Sequence, residues 1–141
     1  MEFKKYFIFV DCLTLKFNKM FLNLGHTKLP VYLVTRKFVQ ACYLITSNFP
    51  IEEKFELVRQ IQRAAISVQL NLAEGCSRKS PHERRRYFEI ARGSVVEIDS
   101  AMDIAGDLHY LNSDSITEFE NAINDCFQQL SNLIRANSIE K

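Results

Sequence analysis

Residues 63–97 constrain the fold of this chain more than any other stretch, because two helical patterns meet there across a short turn. Apolar residues keep helical spacing on both sides of the turn, which predicts two long amphipathic helices. The turn and the residues just after it carry a dense group of positive charges, called here the basic turn. Its members are Arg78, Lys79, Arg84, Arg85 and Arg86. Any function of the chain is expected here first.

The composition favours one helical domain. Of 141 residues, 47% are apolar and 25% are charged, and only four are glycine and three proline. This length suits a single domain with its own core, and so few breaking residues suit long helices better than a loop-rich sandwich. No apolar run approaches the roughly 18 residues of a membrane span, so we expect a cytoplasmic protein with no membrane partner.

Four amphipathic segments predict helices over residues 30–47, 51–75, 81–111 and 116–136. Pro30 and Pro81 suit first helical positions, where a missing N–H costs nothing. The seam of the second helix is predicted to hold Ile51, Val58, Ile61, Ala65, Val68 and Leu72. Because the connections are short, residues 28–136 should form an all-α, antiparallel up-and-down four-helix bundle.

Three helix ends carry local signals. Gly75 is placed to end the second helix in a left-handed cap. Ser80 and Glu83 match the capping box S-x-x-E before the third helix. Ser115, with a glutamate three residues on, repeats that signal before the fourth helix.

The segments outside the bundle are residues 1–27 and 137–141. The first is rich in aromatic residues and lysine, and its apolar run over residues 6–10 ends at Asp11, too early for a signal peptide. We expect a poorly structured N-terminal extension, with Met20 as the natural start, and a short polar tail.

Several residues of the central helices are assigned packing roles. Asn71 and Glu74 are polar residues at an apolar helix end, and Glu74 is predicted to form an ion pair with Arg92 that fixes register. Gly93 and Ser94 belong to a small-residue seam that lets a neighbouring helix approach closely. An interior glycine costs about 1 kcal/mol relative to alanine, which favours a packing reason for Gly93.

The far side of the second helix carries Ile66 and Leu70 in line with Arg59 and Arg63. Two apolar residues one turn apart on an outer face fit a subunit contact. Scattered exposed apolar residues are also common, so the pair alone leaves both interpretations open.

Charge is unevenly distributed along the chain. Residues 54–92 contain nine basic and four acidic side chains, whereas residues 93–141 contain two and nine. This asymmetry fits a polyanion partner, head-to-tail contacts between oppositely charged subunits, or ordinary solvated helix faces.

Positive charge in the first turns of a helix opposes the helix dipole, so a ligand explains the basic turn better than folding does. Phosphate is the natural ligand, because arginine offers paired donors and helix N–H groups point the same way. Tyr87 and His82 could stack on an unpaired base, and Arg59 and Arg63 could extend the site. Alternatively, the arginines pair with glutamates of this chain or with the acidic last third of a neighbouring subunit.

Patterns of enzyme chemistry are missing from the sequence. Asp99, Asp103 and Asp107 could share a helix face, but a di-metal bundle also needs Glu-x-x-His elements, which do not occur. The cysteines, scattered and without metal-ligand spacing, indicate reduced thiols, with Cys42 and Cys126 as buried small hydrophobes. We therefore expect no metal, no cofactor and no enzymatic activity.

The pieces RAAISVQLNLAEG, SRKS, ERRRYFEIARGS and VEID together resemble the four-helix-bundle proteins encoded in intervening sequences of bacterial 23S rRNA genes. The resemblance runs from about residue 22 to 134. It implies an up-and-down bundle that assembles into a ring-like homopentamer, and no enzymatic activity. It also implies kinship with the accessory protein of diversity-generating retroelements, whose basic surface engages nucleic acid and a reverse transcriptase.

Two functions follow as hypotheses. The first is an oligomeric protein that binds rRNA or other structured nucleic acid through the basic turn. The alternative is a protein-interaction scaffold, in which the basic middle of one subunit pairs with the acidic last third of the next.

Overall fold

The computed structural model describes residues 21–138, so the predictions for residues 1–20 and for residues 139–141 lie outside the described part. Within it the chain forms four α-helices and no strand. The helices are α1 (Pro30–Thr46), α2 (Leu57–Ser77), α3 (Pro81–Asp107) and α4 (Ser113–Ala136). The predicted all-α bundle is confirmed. None of these helices is both long and apolar enough to cross a membrane.

The helices pack in a closed ring of neighbours. Each contacts the next in chain order, and α4 returns to α1, with the most extensive contact between α2 and α3. Short connections make consecutive helices antiparallel, as in an up-and-down bundle. The largest fully buried side chains come from all four helices. They include Phe38, Ile61, Leu72, Phe88, Ile98 and Leu130.

Polar bonds between helices mark their relative register. Ser67 on α2 and Ser94 on α3 share a hydrogen bond of 2.9 Å between their hydroxyl oxygens. On the other flank of α3, Arg92 donates to Ser131 Oγ on α4 at 3.2 Å. A hydrogen bond of this kind contributes about 1 kcal/mol net, so these pairs fix alignment more than they add stability.

The start of α2 differs from the prediction. Ile51–Phe55 forms a 3-10 helix, and the chain bends at Glu56 before α2 begins at Leu57. Ile51, predicted in the core seam, is 74% exposed. Glu53 supports the bend before α2, because its carboxylate accepts hydrogen bonds from the Leu57 N–H at 3.3 Å and from the Tyr110 hydroxyl at 3.0 Å. Such a cap depends on a contact across the fold, which a local pattern does not contain.

The turn between α3 and α4 also lies at different residues than predicted. Helix α3 ends at Asp107, because His109 takes a left-handed φ of 59° and Tyr110 donates back to the Ala105 carbonyl at 2.9 Å. Helix α4 starts at Ser113, where the Asn112 side chain accepts the Asp114 N–H at 3.3 Å. The prediction that Ser115 caps this helix is therefore wrong, because Asn112 is the cap and the helix begins three residues earlier than predicted.

Candidate nucleic-acid interface

The basic turn lies at one end of the bundle, between α2 and α3. Arg78 and Ser80 have extended backbones, so residues 78–80 form a three-residue linker, and Pro81 occupies the first turn of α3 as predicted. The predicted capping box is wrong, since the Ser80 side chain makes no capping bond. The first N–H groups of α3 thus have no side-chain acceptor at the N-cap, at the end where the helix dipole is positive.

Two arginines of the basic turn are paired within the chain. The Arg78 guanidinium forms an ion pair with Glu74, donates to the Tyr87 hydroxyl at 3.3 Å, and lies 5.1 Å from the centre of the Tyr87 ring. Arg85 pairs with Glu89 at 2.8 Å. Both ion pairs have i,i+4 spacing, so this local alternative was readable in the sequence.

The other three cations of the basic turn form no ion pair with any residue of the described part; they are called the unpaired cations. Lys79 and Arg86 are exposed and Arg84 is half-buried. The Arg84 Nε is buried without a hydrogen-bond partner. Three positive charges therefore lie around the start of α3 with no acidic side chain of residues 21–138 within ion-pair distance.

The two predicted stacking residues, Tyr87 and His82, have different surroundings. Tyr87 has a guanidinium over one face of its ring, because Arg78 occupies it. His82, on the first turn of α3, is exposed. The geometry therefore leaves His82 accessible to a base and already gives Tyr87 a cation–π partner.

Arg59 and Arg63 do not join the basic turn. Both lie in the first half of α2, and at 1.5 Å per residue they are about 27 Å and about 21 Å from its C-terminal end. The structure brings together the five residues of the basic turn and separates these two from it.

The residues with predicted packing roles have different partners than expected. Because Glu74 pairs with Arg78, the predicted bond to Arg92 is wrong; Arg92 instead reaches Ser131 and lies 5.7 Å from the centre of the Phe127 ring. Arg92 lies on the flank of α3 that faces α4, away from Glu74.

Asn71 supports the bond between α2 and α3. Its amide donates to the Ser67 carbonyl at 2.9 Å and to the Ser67 hydroxyl at 3.1 Å, and that hydroxyl bonds the buried Ser94. Gly93, in contrast, faces open space within its own chain, so no helix of the described part approaches closely there.

Gly75 does not cap α2. It is buried inside the helix with ordinary helical backbone, and the helix continues to Ser77. A Cβ at this position would lie 2.6 Å from Cε1 of Phe88, so the glycine is required by close packing against α3. Glycine is therefore needed at position 75 for close packing against Phe88, and not for a left-handed backbone conformation.

Cysteines stand out among the titratable groups in the described ranges. Across residues 21–138, no cluster of three His, Cys, Asp or Glu side chains could hold a metal ion. Cys42 and Cys126 are buried, as predicted, and burial raises the pKa of both thiols. Burial also raises the pKa of the half-buried Cys76, although nearby Arg84 opposes this. These thiols are protonated near neutral pH and unsuited to nucleophilic chemistry.

Comparison with known proteins identifies a family and a solved structure with a similar fold. The model of the 23S rRNA-intervening sequence protein family matches residues 27–132. A solved protein of unknown function from Bacteroides thetaiotaomicron, described as a member of the S23 ribosomal protein family, is similar at a TM-score of 0.65. The identity is 18%, and the match covers 74% of this chain and 98% of the other. No curated protein sequence matches.

Proposed function

Since the chain belongs to the 23S rRNA-intervening sequence protein family, we propose that it is a non-enzymatic protein that binds structured RNA or other nucleic acid through the basic turn. The proposal rests on the three unpaired cations at the start of α3. In this location positive charge weakens the helix slightly, so a negatively charged ligand accounts for it better than folding does.

Phosphate is the group that these residues would hold. Arg84 and Arg86 offer forked donors that match phosphate oxygens, and Lys79 adds a mobile point charge. The N–H groups of the first turn of α3, which the Ser80 side chain does not cap, are further donors at the positive end of the helix dipole. Contacts of this type hold the sugar-phosphate backbone and carry little base specificity.

Arg78 and Arg85 have a different role in this proposal. Their ion pairs with Glu74 and Glu89 are about 40% exposed and contribute little stability. They orient the side chains around the turn and leave part of each guanidinium available to a phosphate. The unpaired cations supply most of the binding.

The proposal extends to assembly and location. A homopentamer, as the resemblance implies, would present several basic turns to one nucleic acid and raise the affinity through multivalency. The expected location is the bacterial cytoplasm. A reverse transcriptase is a further proposed partner, on the same resemblance.

A gel-shift or anisotropy titration with a structured RNA hairpin at low salt tests the proposal. Arg86→Glu should weaken binding at least several-fold, whereas Lys54→Glu, with the same change in charge in the 3-10 helix that precedes α2, should not. Absence of binding by the unmodified protein, or an equal loss in both variants, would refute the proposal.

The same variants distinguish the RNA-binding proposal from the scaffold alternative. If the basic turn pairs with the acidic last third of another subunit, Arg86→Glu should break the oligomer. Light scattering on the RNA-free protein decides between the two, because the RNA proposal leaves the oligomer intact.

A further inference from the structure

A groove on the flank of the bundle between α3 and α4 lies apart from the basic turn, none of whose residues line it. Its volume of about 560 Å³ is within the range of small-molecule sites. Buried apolar side chains, among them Ile45, Val95 and Met102, form part of its lining. Two further apolar residues of the lining stay open to solvent, Val96 at 49% and Phe127 at 42% exposure. The groove therefore offers apolar surface that the bundle itself does not cover.

The polar groups of the groove that are free to bind a ligand are hydrogen-bond acceptors. Asp99 and Asp103 on α3 and Glu120 on α4 line it, and all three are exposed. None forms an ion pair with another described residue. Asn124, also in the lining, donates from its amide nitrogen to the Glu120 main-chain oxygen at 2.8 Å, which leaves its Oδ1 as a further acceptor. An occupant should therefore donate hydrogen bonds and carry positive charge.

The three carboxylates do not converge on a single point. Across residues 21–138, no group of three or more His, Cys, Asp or Glu side chains is arranged to hold a metal ion. Asp99 and Asp103 are about one helical turn apart, or about 6 Å along the axis of α3. Glu120 lies on the opposite wall, which α4 forms. The groove therefore suits positive charges that are spread along a ligand better than one compact ion.

The apolar lining indicates what should join those charges. Methylene groups gain free energy when they leave water for the exposed surface of Val96 and Phe127. An aromatic ring such as that of Phe127 also attracts an ammonium group to its face. Phosphate-bearing ligands are repelled by the unpaired carboxylates, so this groove and the basic turn select opposite charges.

We infer that the groove between α3 and α4 binds an aliphatic polyamine, a linear chain in which short runs of methylene groups separate ammonium groups. The ammonium groups donate to Asp99 and Asp103 on one wall and to Glu120 on the other. The methylene runs pack on Val96 and Phe127. Because the basic turn lies outside the groove, the inference does not depend on RNA binding.

Isothermal titration calorimetry of the full chain with spermidine, in the absence of RNA, tests this site. The unmodified protein should bind spermidine saturably. The double variant Asp103→Asn/Glu120→Gln should bind it about tenfold more weakly or worse, because it removes two charged acceptors and keeps the side-chain sizes. Glu118→Gln is the matched control, since this exposed carboxylate of α4 lies outside the lining, and it should leave the affinity unchanged.

Val96→Ser provides a second measurement, since it removes apolar lining without altering the charge of the groove. It should weaken spermidine binding about threefold, while circular dichroism shows unchanged helix content. Mg²⁺ at equal ionic strength should not displace spermidine, because the carboxylates do not share one ion. Absence of saturable binding, equal affinity of the double variant and the unmodified protein, or displacement by Mg²⁺ would overturn the inference.

Discussion

Gly75 packs so closely against Phe88 that a Cβ at position 75 would lie 2.6 Å from Cε1 of the phenyl ring. The ring is fully buried, so it cannot move aside at low cost. This contact sets how closely α2 and α3 approach just before the basic turn. The distance between α2 and α3 beside the basic turn therefore depends on the absence of a methyl group at position 75.

Gly75→Ala should lower the free energy of unfolding by about 1–2 kcal/mol. Overpacking costs about 1–3 kcal/mol, and the better helix propensity of alanine offsets up to about 1 kcal/mol of that. Gly93→Ala is the matched control, because a Cβ there meets no atom within 4 Å. It should raise stability by about 0.5–1 kcal/mol. Urea denaturation measures both, and shifts in the same direction would contradict this explanation.

The hydroxyl pair between α2 and α3 gives a second prediction. Ser94→Ala should cost about 1 kcal/mol, because it removes the 2.9 Å bond to Ser67. Asn71 still donates to the Ser67 hydroxyl, which prevents a larger loss. A double-mutant cycle with Ser67→Ala should show coupling, with the double variant losing less than the sum of the single losses. Strict additivity would show that the bond contributes nothing.

Buried thiols make stability depend on alkaline pH. Burial raises the pKa of Cys126 from 9.0 to about 12, and that of Cys42 further still. Above about pH 9 the unfolded chain loses protons that the folded chain keeps. The free energy of unfolding should therefore fall with rising pH, approaching about 1.4 kcal/mol per pH unit for each thiol.

Cys42→Ala/Cys126→Ala is the control for this effect, because lysines and tyrosines titrate equally in both proteins. Between pH 8 and 10, the free energy of unfolding should fall more steeply with rising pH in the unmodified protein than in the doubly substituted one. An identical pH dependence of the unmodified and the doubly substituted protein would contradict the assignment.

The sequence predicted the helices well where the signal was local. Pro30 and Pro81 mark the starts of α1 and α3, since proline at a first position depends only on its own backbone. The sequence failed where a distant residue decides. Glu53 caps α2 through a geometry that includes Tyr110, 57 residues away along the chain. His109 closes α3 in a conformation that usually takes glycine.

The candidate site was located by composition, but its internal division was not. The five residues of the basic turn were predicted as one group, and the structure separates the paired Arg78 and Arg85 from the unpaired cations. Acidic residues four positions away favoured such pairs, yet Glu74 had two basic candidates. Only the packing of α3 on α4, which turns Arg92 toward Ser131, selects Arg78.

The salt dependence of RNA binding tests the central claim most directly, because each phosphate that a cation neutralises releases counterion. If the unpaired cations Lys79, Arg84 and Arg86 each hold one phosphate, the logarithm of the binding constant should fall with the logarithm of salt concentration at a slope of about −2.7 or steeper. Replacing all three with alanine should make the slope shallower by about 2.7, and Lys54→Ala should leave it unchanged. An unaltered slope in the triple variant would contradict the claim.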